Sequence, residues 1–127
     1  MQLQQNEELR REKRAIDCFV NMFSGSYQKL DPNDIDYKVF DSENKLIAYA
    51  EVSSKVKTIR DAYPLSVSAK KLLKLSDKRL NPVLIWSCED GIIYSKVKGL
   101  SGDIVWEDED FVVYFDKQKT MKYIRFT

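Results

Sequence analysis

Two carboxylates, Asp36 and Glu51, are the side chains of this sequence whose surroundings most favour chemistry. Residues 46–53 have the pattern of a strand in which Glu51 stands among apolar neighbours. A carboxylate buried there costs several kcal/mol unless it is paired or holds a metal. Asp36 lies on the preceding strand candidate, 35–40, and the polar connection 41–45 has the length of a hairpin loop. Two carboxylates on neighbouring strands are suited to bind Mg²⁺. A structural salt bridge to nearby lysines is the competing interpretation.

The composition excludes several other kinds of site. The chain has no histidine, which removes Ser-His-Asp and Cys-His triads, histidine zinc sites and an imidazole general base. Its two cysteines, Cys18 and Cys88, have no short spacing, so the sequence contains neither a metal knuckle nor a redox CxxC pair. A site must therefore use carboxylates, lysine, arginine, tyrosine and hydroxyl groups, which favours hard metals if a metal is used.

A third acid lies within the first predicted helix. Residues 5–23 have the periodicity of an amphipathic helix, and Glu12 falls in its apolar stripe, one turn before Ile16. Glu8 lies one turn earlier, nearer the edge of the stripe. Glu12 is either part of the same site or a rim residue whose carboxylate reaches water.

The charges are balanced globally and uneven locally. The chain carries 21 Lys and Arg against 20 Asp and Glu, a net charge of +1. Residues 52–80 hold eight basic side chains against Asp61 and Asp77, a local net charge of +6. A cationic segment that follows a carboxylate-bearing one is suited to phosphate binding beside a metal. A solvated helix face with lysines on it is the alternative interpretation.

The hydrophobic pattern predicts an α+β or α/β fold with a mixed central sheet and helices packed on it. A second helix is expected from an N-cap at Ser66 to about Arg79, followed by a strand at 82–88 that is covered on both faces. Further strands are expected at 27–30, 92–97, 111–115 and 121–126. Trp86, Trp106, Phe111 and Phe115 are interpreted as core or sheet-face packing.

The whole chain, 1–127, is expected to form one domain, with a core at about 5–97 and a strand extension at 98–127. No apolar run approaches the ~18 residues of a membrane span, which favours a protein without membrane contact. Two lone thiols suit a reducing compartment, so a cytoplasmic location is expected. The last two strands are expected to form an exposed sheet edge that pairs with a second copy as a homodimer.

These residues resemble the PD-(D/E)XK nuclease superfamily, most closely its small stand-alone proteins from bacteriophages. The resemblance covers about residues 5–97: a helix with a glutamate, a hairpin bearing Asp36 and then Glu51-Val52-Ser53, a lysine-rich helix and a buried strand. It implies a restriction-endonuclease-like αβββαβ core followed by C-terminal antiparallel strands. Two positions depart from the family pattern: Ile35 stands in place of the proline, and Ser53 stands in place of the lysine of E-x-K.

The resemblance also implies a metal and its ligands. In the family the first acidic residue and the glutamate of E-x-K bind the metal, so Mg²⁺ or Mn²⁺ is expected on Asp36 and Glu51, with the Val52 carbonyl. A helical glutamate often completes the metal shell, and Glu12 is the better match for it, with Glu8 second.

The lysine of the motif contacts the attacking water or the scissile phosphate in the family, and a serine cannot supply that positive charge. Lys55, two residues beyond Ser53, and Lys71, on the second helix, are the candidate replacements. Ser53 itself is expected to position the water.

The activity that the resemblance implies is metal-dependent hydrolysis of phosphodiester bonds in DNA. The basic side chains expected to bind the nucleic-acid backbone are Lys55, Lys57, Arg60, Lys70 and Lys74. The alternative is a catalytically degenerate nuclease fold that binds nucleic acid or another protein, which Ser53 and the modest net charge favour. A third alternative is an ordinary α+β module, in which Asp36 and Glu51 would lie far apart.

Overall fold

A computed structural model describes residues 2–30, 37–55, 57–77 and 80–127 of the chain. The fold is α+β, as the sequence predicted, with two helices and nine strands in the described residues. The elements are α1 (Gln2–Asn21), β1 (Ser26–Lys29), β2 (Tyr37–Phe40), β3 (Leu46–Ser54), β4 (Leu65–Ser68), α2 (Ala69–Ser76), β5 (Pro82–Ser87), β6 (Gly91–Lys96), β7 (Asp103–Glu107), β8 (Asp110–Phe115) and β9 (Lys122–Arg125). The predicted positions of Ile35, Asp36 and Arg79 lie outside the described residues.

Six strands form the larger sheet, in the order β1-β2-β3-β5-β6-β9. Strands β3 and β5 are parallel, and every other neighbouring pair in this sheet is antiparallel. A parallel pair needs a crossover connection, and here the connection contains β4 and α2. The hairpin between β2 and β3 is closed by Asp41, whose carboxylate accepts the backbone N–H groups of Glu43 and Lys45 at 2.9 Å each.

Helix α1 covers one face of the larger sheet. Its apolar stripe packs on small and branched residues of the central strands. Along β3 these are every second residue, because successive side chains of a strand point to opposite faces of the sheet. The buried residues of this layer are Ala15, Ile16, Phe19, Val20, Tyr37, Val39, Ala48, Ala50, Val52, Val83, Ile85 and Ile92.

The opposite face of the larger sheet is covered by α2 and by a second sheet of three antiparallel strands, in the order β4-β8-β7. The larger sheet is the mixed central sheet that the sequence predicted, and the smaller sheet was not predicted. Strand β8 lies in the middle of the smaller sheet, whereas β9 is at an edge of the larger one. The last two strands therefore do not share one sheet edge, and the homodimer stays a prediction.

Two strands were not predicted from the sequence. Strand β4 occupies the segment predicted to start the second helix, because Leu65 and Val67 alternate with two serines, pair with β8 and are buried between the two sheets. Helix α2 consequently begins at Ala69, and Ser68 rather than Ser66 precedes it, without a side-chain cap hydrogen bond. Among the described strands, β7 pairs only with β8, and it is exposed along most of its length, so it lacks the alternating burial that marks a strand.

Among the described residues, no helix is both long enough and apolar enough to span a lipid bilayer.

Asp90, in the turn between β5 and β6, connects three parts of the chain. Its carboxylate accepts the Ile59 N–H at 2.8 Å and a guanidinium N–H of Arg125 at 2.8 Å. The hydrogen bond from Ile59 and then the charge of Arg125 hold the pKa of Asp90 below its ordinary value. A carboxyl with a lowered pKa in the folded state contributes stability above its unfolded pKa of about 3.9 and loses it as the pH falls through the folded value.

We therefore expect Asp90→Asn to lower the melting temperature by several degrees at pH 7, and we expect this difference to shrink as the pH falls below 4. Thermal unfolding followed by circular dichroism over that pH range measures both. Asp116→Asn, at an exposed aspartate, is the matched control. An equal loss for Asp90→Asn at pH 7 and at pH 2 would contradict the role of the charge.

Candidate functional site

Glu51 lies in the middle of β3, with its side chain on the face of the sheet away from α1. Its neighbours Ala50 and Val52 belong to the layer beneath α1, so the alternation of a strand turns Glu51 to the other face. Its partner on β5 is Leu84, which is buried in the layer formed with α2 and the smaller sheet. The Glu51 side chain is only 2% exposed, as the sequence predicted for a carboxylate in this strand.

Lys71 of α2 brings a positive charge to this carboxylate. Its Nζ atom lies 3.2 Å from Glu51 Oε1. Lys71 is one turn before Leu75, the buried residue of α2, so its stem runs along the helix face that packs on the sheet. The lysine side chain is 59% exposed whereas the glutamate is buried. The pair therefore joins a buried anion to a cation that reaches solvent.

Ser53 shares the face of Glu51, because it is two residues further along β3. It pairs with Trp86 of β5 and is half-buried. The two positions are about 6.6 Å apart along the strand. A serine does not carry the charge that the lysine of E-x-K would supply.

Lys55 follows the last residue of β3 and is directed elsewhere. Its backbone N–H donates to the Ser87 carbonyl at 2.8 Å, and its Nζ donates to the Pro64 carbonyl at 3.3 Å. Of the two candidate replacements for the missing lysine, the structure thus places Lys71, and not Lys55, beside Glu51.

Glu12 lies on the other side of the larger sheet from Glu51. It is on α1, which packs on the face of Ala50 and Val52, and its Oε1 accepts a hydrogen bond from Lys29 Nζ at 3.5 Å. Its side chain is 18% exposed. The stem of Glu12 is therefore mostly buried, while its carboxylate pairs with Lys29. The structure does not bring Glu12 and Glu51 to one face of the sheet.

Asp36 lies outside the described residues. It is the residue before Tyr37, and Tyr37 pairs with Ala50, the residue before Glu51. Within residues 2–30, 37–55, 57–77 and 80–127, no group of three or more cysteine, aspartate or glutamate side chains is arranged to hold a metal ion. Mg²⁺ takes only one or two protein carboxylates, and Glu51 is a buried carboxylate of the described residues that could serve as one.

The remaining basic candidates are at the surface. Lys57 and Arg60 lie between β3 and β4, and Lys70 and Lys74 lie on α2; all four are exposed. Lys70 and Lys74 are on the same helix as Lys71, one residue before it and three residues after it.

Two further basic residues were not predicted to belong to a site. Arg11 and Arg14 of α1 line a cleft together with Lys55. Their spacing of three residues places them on neighbouring positions of one helix surface. That spacing is the signal the sequence offers, but it does not show that Lys55 lies opposite them.

Comparison with protein-family models, curated proteins and solved structures found no match. The function is therefore inferred from the contacts of Glu51 and Lys71.

Proposed function

We propose that this protein is a metal-dependent phosphodiesterase acting on DNA, with Glu51 as a metal ligand and Lys71 as the cation that replaces the lysine of E-x-K. The observation that carries the proposal is the Glu51 carboxylate buried in a central strand with the Lys71 ammonium 3.2 Å away. A buried carboxylate is costly for a fold, which is a reason to expect that it does chemistry. We place the reaction in the cytoplasm, where the free thiols Cys18 and Cys88 stay reduced.

The topology supports this reading. The element order is a helix, three strands, then β4, α2 and β5, and β3 and β5 are parallel neighbours. Without β4 this is the αβββαβ order of the superfamily that the sequence resembles. Fold order alone does not establish an activity, so the proposal depends on the side chains at Glu51.

The residues suited to hold Mg²⁺ or Mn²⁺ are Asp36, Glu51 and the carbonyl of Val52, all of them hard oxygen donors. Such a metal, when bound, activates water and stabilises charge on a phosphoryl group. Glu12 is not part of this set, because α1 holds it on the other face of the sheet.

The chain's own residues have separate tasks in this proposal. Lys71 is largely exposed, so its ammonium can contact a non-bridging phosphate oxygen while its stem stays fixed along α2. The Ser53 hydroxyl orients a water molecule but does not deprotonate it, because a serine has no basic group at neutral pH. The exposed cations Lys57, Arg60, Lys70 and Lys74 bind the flanking backbone without base specificity.

A second candidate is a binding module on a degenerate nuclease fold. The observation that favours it is the same ion pair, because Lys71 already compensates part of the Glu51 charge without any metal. Such a protein would bind nucleic acid through the same exposed cations and would not cleave it.

Calorimetric titration of Mn²⁺ and Mg²⁺, followed by cleavage assays on duplex, single-stranded and branched DNA, tests the proposal. Glu51→Gln is expected to abolish metal-dependent cleavage and to weaken Mn²⁺ binding as strongly as the Asp36→Ala/Glu51→Ala double variant does. Lys71→Met is expected to keep metal binding and to lower the cleavage rate about 10²- to 10³-fold. Glu43→Gln, in the exposed hairpin loop, is the matched control.

Each result separates the two candidates. Metal binding and cleavage that both disappear in Glu51→Gln support the enzyme. DNA binding without cleavage at any metal concentration supports the binding module. A Glu51→Gln variant that cleaves as well as the parent would falsify the site.

A further inference from the structure

A group of cationic side chains lies at the carboxyl ends of the two parallel strands, β3 and β5. A cleft of about 210 Å³ opens there, between α1 and the residues that follow β3 and β5. Its lining includes Arg11, Arg14, Lys55, Ser87, Glu89 and Phe126. Ligands of sheets with parallel strands bind preferentially at the carboxyl ends of those strands. The position therefore matches that of a binding site.

The charges at the cleft favour an anion. Three cationic side chains line it against one carboxylate, Glu89. The Arg14 guanidinium lies over the ring of Phe126, 3.7 Å from its centre, which holds its plane while leaving its N–H groups to donate. Cys88 also borders the cleft. Burial raises the pKa of its thiol to about 11, so it stays neutral at physiological pH and adds no negative charge.

The backbone around the cleft is held by hydrogen bonds between its walls. Ser87 Oγ donates to the Arg11 carbonyl at 3.1 Å, which ties α1 to the end of β5. The Lys55 N–H donates to the Ser87 carbonyl at 2.8 Å, which ties the end of β3 to the same residue. Lys55 Nζ donates to a neutral carbonyl, that of Pro64, so that hydrogen bond does not neutralise its charge. Arg11 pairs with Glu7 at 3.1 Å, whereas Arg14, which is exposed, is positioned by its contact with the Phe126 ring.

We propose that this cleft binds a phosphate group. Arginine presents paired donors that match phosphate oxygens, and the cleft is smaller than the ~300–1,000 Å³ of pockets that enclose a whole drug-sized ligand. A single phosphate, at the end of a nucleic-acid strand, within its backbone or free in solution, has the size and charge that fit. Lys55 is four residues beyond Glu51 on the chain, about 13 Å along a strand. The cleft is therefore distinct from the Glu51 site.

The test uses the full chain in the presence of EDTA, so that no metal-dependent cleavage takes place. Binding of inorganic phosphate is followed by NMR chemical shifts, and binding of short single-stranded DNA with a 5′-phosphate or a 5′-hydroxyl is followed by fluorescence anisotropy. We expect Arg14→Gln to raise the dissociation constant about tenfold, which corresponds to about 1.4 kcal/mol. The slope of log K against log salt should fall by about one. Arg14→Lys, which keeps the charge without the paired donors, should recover part of the affinity.

The matched control is Arg10→Gln, at an exposed arginine of the same helix, which should leave phosphate binding unchanged. EDTA keeps the metal-dependent reaction proposed at Glu51 out of the measurement, so this proposal and the proposed function can fail separately. If the protein prefers the 5′-phosphate, the ligand is the end of a strand; if it binds both oligonucleotides equally, the ligand is the backbone. If it binds inorganic phosphate alone, the ligand is the free ion. Each of these results supports the site if binding depends on Arg14. Equal losses in Arg14→Gln and Arg10→Gln, or no phosphate binding by the parent, would overturn the proposal.

Discussion

Trp86→Ala is expected to lower the free energy of unfolding by about 3–5 kcal/mol, the usual cost of truncating a buried tryptophan. Trp86 is 1% exposed and joins the two sheets. Its Nε1 atom donates to the Ser66 carbonyl of β4 at 2.9 Å. Its ring makes an edge-to-face contact with Phe115 of β8, with the centres 6.0 Å apart. The substitution removes both contacts and leaves a cavity between the sheets, so urea denaturation should show a lower midpoint.

Two variants show whether this loss comes from the position rather than from the residue type. Trp86→Phe keeps most of the volume but removes the donor to Ser66, and we expect a loss of about 1–3 kcal/mol. Trp106→Ala is the matched control, because Trp106 is 61% exposed and its ring contacts Phe111. Its expected cost is about 1 kcal/mol or less. A Trp86→Ala loss no larger than that of Trp106→Ala would contradict the packing between the sheets.

The two tryptophans also show how far the sequence predicts the fold. Both were interpreted as core or sheet-face packing, and both lie in apolar runs. Trp86 belongs to β5, which is covered on both faces, whereas Trp106 lies on β7, which pairs only with β8 and is mostly exposed. Local hydrophobicity does not distinguish these cases, because burial depends on which elements of distant sequence cover the strand.

Strand β4 illustrates a second limit. The residues Leu65 to Ser68 alternate with period two, but four residues before a helical pattern are also typical of a helix start. The pairing with β8, nearly fifty residues later, decides between the two. Segments with their own strong pattern, such as α1 and β3, were predicted correctly because their apolar residues recur in the sequence with the period of the element itself.

The candidate site, like the fold, could be predicted from the sequence only in part. The burial of Glu51 follows from its position in an apolar strand, and the structure agrees. Which face it points to follows from alternation, but which helix covers that face does not. Glu12 was therefore grouped with Glu51, although α1 packs on the opposite face. The cleft at Arg14 and Lys55 depends on contacts between elements far apart in the chain, and no local pattern reports those.

Lys71→Met is expected to lower the free energy of unfolding by about 1–3 kcal/mol at pH 7, since it removes the cation beside a buried carboxylate. The full cost of breaking a buried pair is larger, about 3–5 kcal/mol, but the exposure of the Lys71 side chain reduces it. In the Glu51→Gln background the same substitution should cost less, because the Glu51 charge beside Lys71 has been removed. Urea denaturation of the four proteins gives the coupling energy. Lys70→Met, at the exposed neighbouring position, is the control.

The same cycle decides whether Glu51 is part of a metal site or only of an ion pair. A metal that binds the folded state alone stabilises it, by an amount that grows with the logarithm of the metal concentration divided by Kd. If Glu51 is a ligand, Mn²⁺ replaces the charge that Lys71→Met removes, so Mn²⁺ should raise the melting temperature of Lys71→Met more than that of the parent. It should have no such effect on Glu51→Gln or on the double variant. If the pair is purely structural, Mn²⁺ changes none of the four melting temperatures, while the coupling energy between Lys71 and Glu51 remains. The coupling energy alone would then account for the buried carboxylate, and the binding module would be the supported function.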